Sequence, residues 1–368
     1  MIEKIQIELT TRCNLDCEYC LRPKTAVEIK REIFEELGGA AKKFILYGFG
    51  EPLMHKEIIP ILNKLDGEIV ISTNGMVDEN FAEIAEIADF VGISVDLNAE
   101  LRRGMGLEKV LSKLEKIKTK GIAEIVITRD NIGKLAKFAE FLAEKGVGIM
   151  LTNVIAPRKE IYARALYFEG SRINADYIHL SESEMLSMIR KKFFIAVETI
   201  ETEFVEKKFP NLQALIEGKE RIKRALEAEK EIEKVLEVAK SYGVDFVKPN
   251  FFGESERRKC PYERSLFVRS DSKVSPCMQM AYPHNEFVNQ REKFVSEFTV
   301  GKVLDGIERI ETKLAFFEKI REEMDFPWCG DCAHVFGCWF LANGMDCYGN
   351  IPSCSECLYS VGIAKCLV

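Results

Sequence analysis

The chain has 368 residues, 47% of them hydrophobic, and a formal net charge of −7. That length suits one large domain with a smaller one attached, and the acidic balance argues against a broad nucleic-acid footprint. The lack of any apolar run of about 18 residues argues against a membrane span. The opening MIEKIQIELTTRC shows no basic start with a long apolar core behind it, so no secretory signal is expected and the cytoplasm is the expected compartment. Twelve cysteines in such a chain point to metal rather than to disulfides.

Taken in chain order, apolar runs bounded by turn residues predict strands near 2–9, 43–47, 67–72, 90–96, 122–128 and 147–154. Helical periodicity is expected between them, near 28–40, 55–65, 78–88, 106–119 and 131–145, with Asp78 and Asn131 as starts. In the last of these, Leu135, Phe138, Ala139 and Leu142 fall on one face. Six strand–helix repeats imply an α/β fold with a parallel sheet and helical crossovers. A partial parallel (β/α)6 barrel fits, and pattern alone leaves a doubly wound open sheet in play. Residues 1–180 are expected to form this barrel. Residues 181–250 read as a helical bridging segment, charged and periodic over 181–196 and 211–241 with Pro210 as a break. Residues 251–368 carry nine cysteines and few long periodic stretches, as expected of a Cys-rich domain held by metal rather than by a large core.

In a parallel β/α barrel, functional groups gather at the C-terminal ends of the strands. The first strand here runs into Cys13, Cys17 and Cys20, spaced C-x3-C-x2-C. The later ones end at Gly48-Phe49-Gly50-Glu51-Pro52, Ser72-Thr73-Asn74-Gly75, Ser94-Val95-Asp96, Thr128-Arg129-Asp130-Asn131 and Thr152-Asn153. An iron–sulfur cluster is usually held by four thiolates, so three leave one iron open to a small molecule. Zinc favours paired C-x2-C ligands and a closed tetrahedron, and fits this spacing less well. The rim offers glycines for close backbone approach and carboxylates, arginines and hydroxyls for a polar ligand.

Cys13, Cys17, Tyr19 and Cys20 together resemble the signature of the radical SAM superfamily. The resemblance implies that the open iron of a [4Fe-4S] cluster is chelated by the amino and carboxylate groups of S-adenosyl-L-methionine. One electron from the cluster then cleaves the sulfonium and yields a 5′-deoxyadenosyl radical. Gly50-Glu51-Pro52 resembles the family's Gly-Gly-Glu-Pro motif, which binds the methionine ammonium, with Phe49 standing where the first glycine would be. Thr73, Asn74 and Gly75, and Ser94, Val95 and Asp96, resemble its third and fourth strand ends. By that resemblance Tyr19, Gly50, Glu51, Thr73, Asn74, Ser94 and Asp96 are candidate cofactor contacts, with Ser94 and Asp96 for the ribose and Arg103 or Arg129 for the carboxylate. Arg103 reads equally well as a surface residue at a helix start.

The later cysteines are Cys260, Cys277, Cys329, Cys332, Cys338, Cys347, Cys354, Cys357 and Cys366. The C-x2-C-x5-C group at Cys329, Cys332 and Cys338, with the hairpin-like stretch Leu266–Cys277, resembles the SPASM extension, which implies two auxiliary [4Fe-4S] clusters. The expected division is Cys329, Cys332, Cys338 and Cys357 for one, and Cys260, Cys277, Cys347 and Cys354 for the other, leaving Cys366 spare. Zinc at the Cys329/Cys332 and Cys354/Cys357 pairs is the alternative. The family often has a cysteine three residues past the C-x2-C-x5-C group, whereas the next here is Cys347. Gly337-Cys338-Trp339, Asp346-Cys347, Pro352-x-Cys354-x2-Cys357-Leu358 and Thr152-Asn153-Val154-Ile155-x-Pro157 are similar to the maturases associated with tungsten-containing oxidoreductases. What this implies is a radical SAM oxidoreductase or maturase acting on a protein, peptide or metal-cofactor substrate, with a low-potential donor such as ferredoxin or flavodoxin. The other reading is an iron–sulfur electron-transfer or scaffold protein without radical chemistry, for which Glu51, Asn74 and Ser94 have no use. No catalytic acid or base is identified; Asp271, His334 and Asp346 lie near the expected clusters and read equally as turn residues.

Overall fold

A computed structural model describes residues 2–98, 100–117, 120–181, 183–184, 187, 212–254 and 258–368. The helix expected over 181–196 lies almost entirely outside the described residues, as does Pro210.

All six expected strands form: β1 (Lys4–Ile7), β2 (Lys43–Leu46), β3 (Glu68–Thr73), β4 (Phe90–Val95), β5 (Gly121–Ile127) and β6 (Gly148–Asn153). Four more join their sheet: β7 (Phe246–Val247), β8 (Ser265–Val268), β9 (Lys273–Ser275) and β10 (Gly301–Lys302). The spatial order is β10-β9-β8-β1-β2-β3-β4-β5-β6-β7. From β1 to β6 neighbours follow chain order and every pair is parallel. A doubly wound sheet reverses its order at a central switch point; this one does not, so its winding is that of an incomplete barrel. Both faces of the strands are covered, which is why they read as near-continuous apolar runs rather than as alternating ones.

The third region extends the same sheet. β8 pairs in parallel with β1, then turns into the antiparallel hairpin β8–β9. The buried apolar cluster accordingly runs without a break from Ile5 and Phe44 to Leu266, Val274 and Ile310. The helix Leu212–Tyr242 lies against the helix Leu135–Glu144. It buries Ile222, Ala225, Ile232, Val235 and Ala239 at spacings of three, four and seven, one helical face.

Two expected helix starts have other jobs. Asp78 precedes the helix Phe81–Ile87 by a turn through Asn80, whose φ is +59°, and its carboxylate bridges Lys109 and Lys113. Asn131 makes no capping bond. It is 1% exposed, accepts from the Thr128 amide at 2.9 Å, and donates to the Val126 carbonyl at 2.8 Å. It is therefore an internal strut for the loop after β5. Asn131→Ala leaves that buried amide and carbonyl without side-chain partners, and about 2–4 kcal/mol of unfolding free energy is expected to be lost, measured by denaturant titration of the cluster-free protein.

Candidate functional site

The cysteine loop leaves β1 and is pinned by an antiparallel ladder only two residues long. Asp16 is opposite Arg103 and Cys17 opposite Arg102. Directly opposed residues point to one side of a ladder and their neighbours to the other. Cys17 and Arg102 thus face inward, and Asp16 and Arg103 outward. The observed exposures agree: Arg102 is 5% exposed, while Arg103 is an exposed surface residue paired with Glu18 and Asp16. The loop closes with the Cys20 amide on the Cys17 carbonyl at 3.1 Å. Cys13 Sγ accepts from the Leu15 amide at 3.4 Å and from Asn74 Nδ2 at 3.6 Å.

Glu51 ties the next two strand ends to this loop. Its Oε1 accepts from Thr73 Oγ1 at 2.7 Å and the Leu53 amide at 3.1 Å, and its Oε2 accepts from the Asn74 amide at 2.7 Å. Its own amide donates to the Arg12 carbonyl at 2.7 Å. A side chain at Gly50 would collide with the carbonyl oxygens of Thr10 and Arg12, so only glycine lets this segment lie directly on the cysteine loop. Asn74 completes the join through Asn14 Oδ1 at 2.7 Å. Burial pushes the Glu51 carboxyl above its ordinary range, and the bonds from Asn74, Thr73 and Leu53 oppose it.

The rim encloses a cavity lined by Cys13, Cys17, Cys20, Tyr19, Gly50, Glu51, Thr73, Asn74 and Ser94. Lining residues that were not among the sequence candidates include Arg102, Glu124, Lys365 and Cys366. Glu124 lies in β5 in register with Ser94, and its Oε2 accepts from Ser72 Oγ at 2.7 Å and Ser94 Oγ at 3.0 Å. A lone carboxylate inside the apolar run GIAEIVI was the available signal. Arg102 Nε is buried without a hydrogen-bond partner, as is Asn153 Oδ1, also on the cavity wall.

Asp96, Arg103 and Arg129 do not line the cavity. Asp96 sits behind Tyr19, accepting from its hydroxyl at 3.4 Å and from the Asn98 amide at 2.8 Å. Arg129 is exposed. The ladder register gives the physical reason for Arg103, and the correction is that Arg102, not Arg103 or Arg129, is the arginine facing the thiols. Asp271 and Asp346 are turn residues: Asp271 accepts from the Lys273 amide, and Asp346 from the amides of Tyr348 and Asn350. His334 begins a short helical turn.

The chain's last residues close the cavity. Asn153 Nδ2 donates to the Ile363 carbonyl at 3.1 Å, and the Lys365 amide donates to Thr152 Oγ1 at 2.8 Å. Leu367 then reaches Gly92, where a side chain would strike both it and Glu124. This threading puts Cys366, spare in the sequence, on the wall of the same cavity as Cys13, Cys17 and Cys20.

The other eight cysteines gather differently from the expected division. Cys277, Cys354 and Cys357 line one small cavity, and Cys260 packs with Cys277 beside Tyr262 and Phe267. Cys329, Cys332 and Cys338 form a separate cluster with Val335 and Leu341. Cys357 thus joins Cys260 rather than Cys329. Cys347 is exposed on a turn whose Asp346 accepts from Ser355 Oγ at 2.9 Å, and the Ser355 carbonyl accepts from the Cys329 amide at 3.0 Å. Among the described residues no three His, Cys, Asp or Glu side chains converge on a single-ion position. Each thiolate of a cubane binds its own iron, so a cubane needs a wider ring than one ion does.

Residues 7–142 match the family model of the Radical SAM superfamily. These residues form a radical SAM domain. The chain is 23% identical to the tungsten-containing aldehyde ferredoxin oxidoreductase cofactor-modifying protein of Pyrococcus furiosus, over 98% of this chain and 96% of that one. It is 27% identical to a probable GTP 3′,8-cyclase of Methanocaldococcus jannaschii, over 55% of this chain and 76% of the relative. Two solved structures share the fold. Streptococcus suis SuiB bound to precursor peptide SuiA has a TM-score of 0.55 and 12% identity, covering 97% of this chain and 76% of that one. Native anSMEcpe with bound AdoMet has a TM-score of 0.50 and 17% identity, covering 98% and 94%. Outside the radical SAM domain, no helix among the described residues, or within it, is long and apolar enough to cross a membrane.

Burial raises the Cys17 thiol to about 11, with Arg102 opposing the shift. Burial also raises the Glu124 carboxyl, against the bonds from Ser72 and Ser94. A carboxyl whose folded pKa lies above its unfolded value favours folding while protonated, and that stability is lost as pH rises from the ordinary carboxylate range through the folded pKa. Glu124→Gln keeps an acceptor for both serines and cannot ionise. The variant is expected to match the cluster-free parent near pH 4 and to be more stable at pH 7, read by thermal unfolding at both values.

Proposed function

We propose that this chain is a radical SAM enzyme that cleaves S-adenosyl-L-methionine at a [4Fe-4S] cluster on Cys13, Cys17 and Cys20 and acts on a protein, peptide or metal-cofactor substrate. The observation that carries the reading is the buried Arg102 opposite Cys17 in the three-thiol cavity, its Nε without a hydrogen-bond partner. A buried guanidinium with an unused donor is costly, and a carboxylate ligand there gives that donor an acceptor. The residues present fit the absent groups. Three thiols on one loop provide all but one ligand of a cubane, and two N–H groups already point at Cys13 Sγ. A reduced cluster at this loop supplies the electron that splits the sulfonium into methionine and a 5′-deoxyadenosyl radical.

The chain's residues do the placing. Arg102 takes the methionine carboxylate. Glu51, with both oxygens engaged, is a positioning residue that holds the Gly50 segment and Thr73–Asn74 against the cysteine loop. Ser94 and Glu124 face the cavity together and suit the ribose hydroxyls. Tyr19 is held by Asp96 and covers the thiols from one side. The end-to-end likeness to the cofactor-modifying protein supports, as substrate, the cofactor or host enzyme of a tungsten-containing oxidoreductase. Two auxiliary [4Fe-4S] clusters, one on Cys260, Cys277, Cys354 and Cys357 and one on Cys329, Cys332, Cys338 and Cys347, account for eight further cysteines. A ferredoxin or flavodoxin in the cytoplasm is the matching donor.

Reconstituted anaerobically and reduced, the protein is expected to form 5′-deoxyadenosine and methionine. No cleavage by fully loaded protein, with and without the tungsten enzyme, would instead favour the electron carrier. Cys17→Ala is expected to abolish cleavage while keeping roughly eight of about twelve irons. Arg102→Met is expected to weaken S-adenosyl-L-methionine binding by roughly 10- to 100-fold in equilibrium dialysis, with Arg103→Ala close to the parent. The reverse order would sink the Arg102 assignment.

A further inference from the structure

The small cavity lined by Cys277, Cys354 and Cys357 is also lined by Lys293, and Gln279, Ile155 and Tyr359 separate it from the main cavity, lining both. Arg321, in the last turn of the helix Ile307–Glu323 and 5% exposed, stands by the segments that carry Cys260 and Cys277. Its Nη1 donates to the Tyr262 carbonyl at 2.7 Å and the Ser265 carbonyl at 3.3 Å, and its Nη2 donates to the Pro276 carbonyl. Tyr262 lies two residues past Cys260, and Pro276 immediately precedes Cys277. The guanidinium is therefore clamped between the backbones that carry two of the four thiols.

Two cations are thus set beside four thiols. The carboxylates facing them are accounted for. Glu318 pairs with Arg321 at 2.6 Å but is a quarter exposed. Glu286 lies 3.8 Å from Lys293 and is shared with His284 at 3.3 Å and with Gln279. Glu356 is taken by Arg291 at 2.6 Å and Asn289 at 2.7 Å. Charge and hydrogen bonding around a cluster set its reduction potential. A cubane with four thiolates is negative and gains one more negative charge on one-electron reduction, so a nearby fixed cation stabilises the reduced form more than the oxidised one.

We infer that Arg321 and Lys293 are positioning residues that raise the reduction potential of the cluster held by Cys260, Cys277, Cys354 and Cys357, the one adjoining the main cavity. The inference rests on the auxiliary-cluster reading above.

The test is a potentiometric titration of the full-length reconstituted protein followed by electron paramagnetic resonance, for the parent, Lys293→Met, Arg321→Met and Arg321→Lys. In Lys293→Met the reduced-to-oxidised ratio of one cluster at fixed potential is expected to fall about tenfold, equivalent to about 59 mV for one electron, with the other clusters unmoved. Arg321→Met is expected to shift the same signal, and Arg321→Lys to restore most of it. Should Arg321→Met fail to fold, Lys293→Met decides alone. Fully loaded variants with unshifted midpoints overturn the inference and leave the auxiliary clusters standing. A parent protein that shows no cluster signal once Cys13, Cys17 and Cys20 are replaced by Ala overturns the auxiliary reading, and the inference falls with it.

Discussion

The pairing of Asp16 and Cys17 with Arg103 and Arg102 fixes which side chains meet in the cavity. The ladder is too short to contribute much stability by itself. Its importance is geometric: it joins the loop after β1 to the loop after β4 across the open mouth of the sheet. Because side chains alternate across a ladder, one register places a thiol and a guanidinium inside together. A slip by one residue would turn Asp16 or Arg103 inward instead and break up that juxtaposition.

Around that pairing the strand ends are joined by buried polar groups rather than by apolar contact. Glu51 collects donors from Leu53, Thr73 and Asn74, and Glu124 collects Ser72 and Ser94. Each buried carboxylate opposes folding by desolvation, and each is offset by the bonds it accepts. The result is a stiff rim, and two of its unsatisfied atoms, Arg102 Nε and Asn153 Oδ1, belong to residues of the cavity wall. A site with its structural bonds already made and its ligand bonds still open needs little rearrangement when a polar ligand arrives.

The C-terminal region also contributes to the site. β8 lies beside β1, so the Cys-rich segment grows from the sheet that carries the first cysteines. The tail then returns over β6, anchored on Thr152 and Asn153, and brings Cys366 to the cavity. One layer of side chains separates that cavity from the Cys277–Cys357 group. The main cavity and the nearer thiol group are therefore neighbours through the fold, with Tyr359 and Gln279 between them.

The sequence by itself determined the six strands, the crossover helices, the three-cysteine loop and the Glu51, Thr73, Asn74 and Ser94 rim. These follow from periodicity and from short-range spacing, which are properties of adjacent residues. It could not separate Arg102 from Arg103, because that choice rests on a register between segments 85 residues apart. Nor could it group Cys357 with Cys260 or place Cys366, because a thiol's neighbours depend on how a distant tail threads back rather than on its spacing. Asn131 read as a helix cap for the same reason: a buried strut and a cap present the same residue before a helix, and only the position of the Val126 carbonyl and Thr128 amide tells them apart. Tertiary structure decided these points because each is a contact between segments whose separation along the chain carries no signal of their meeting.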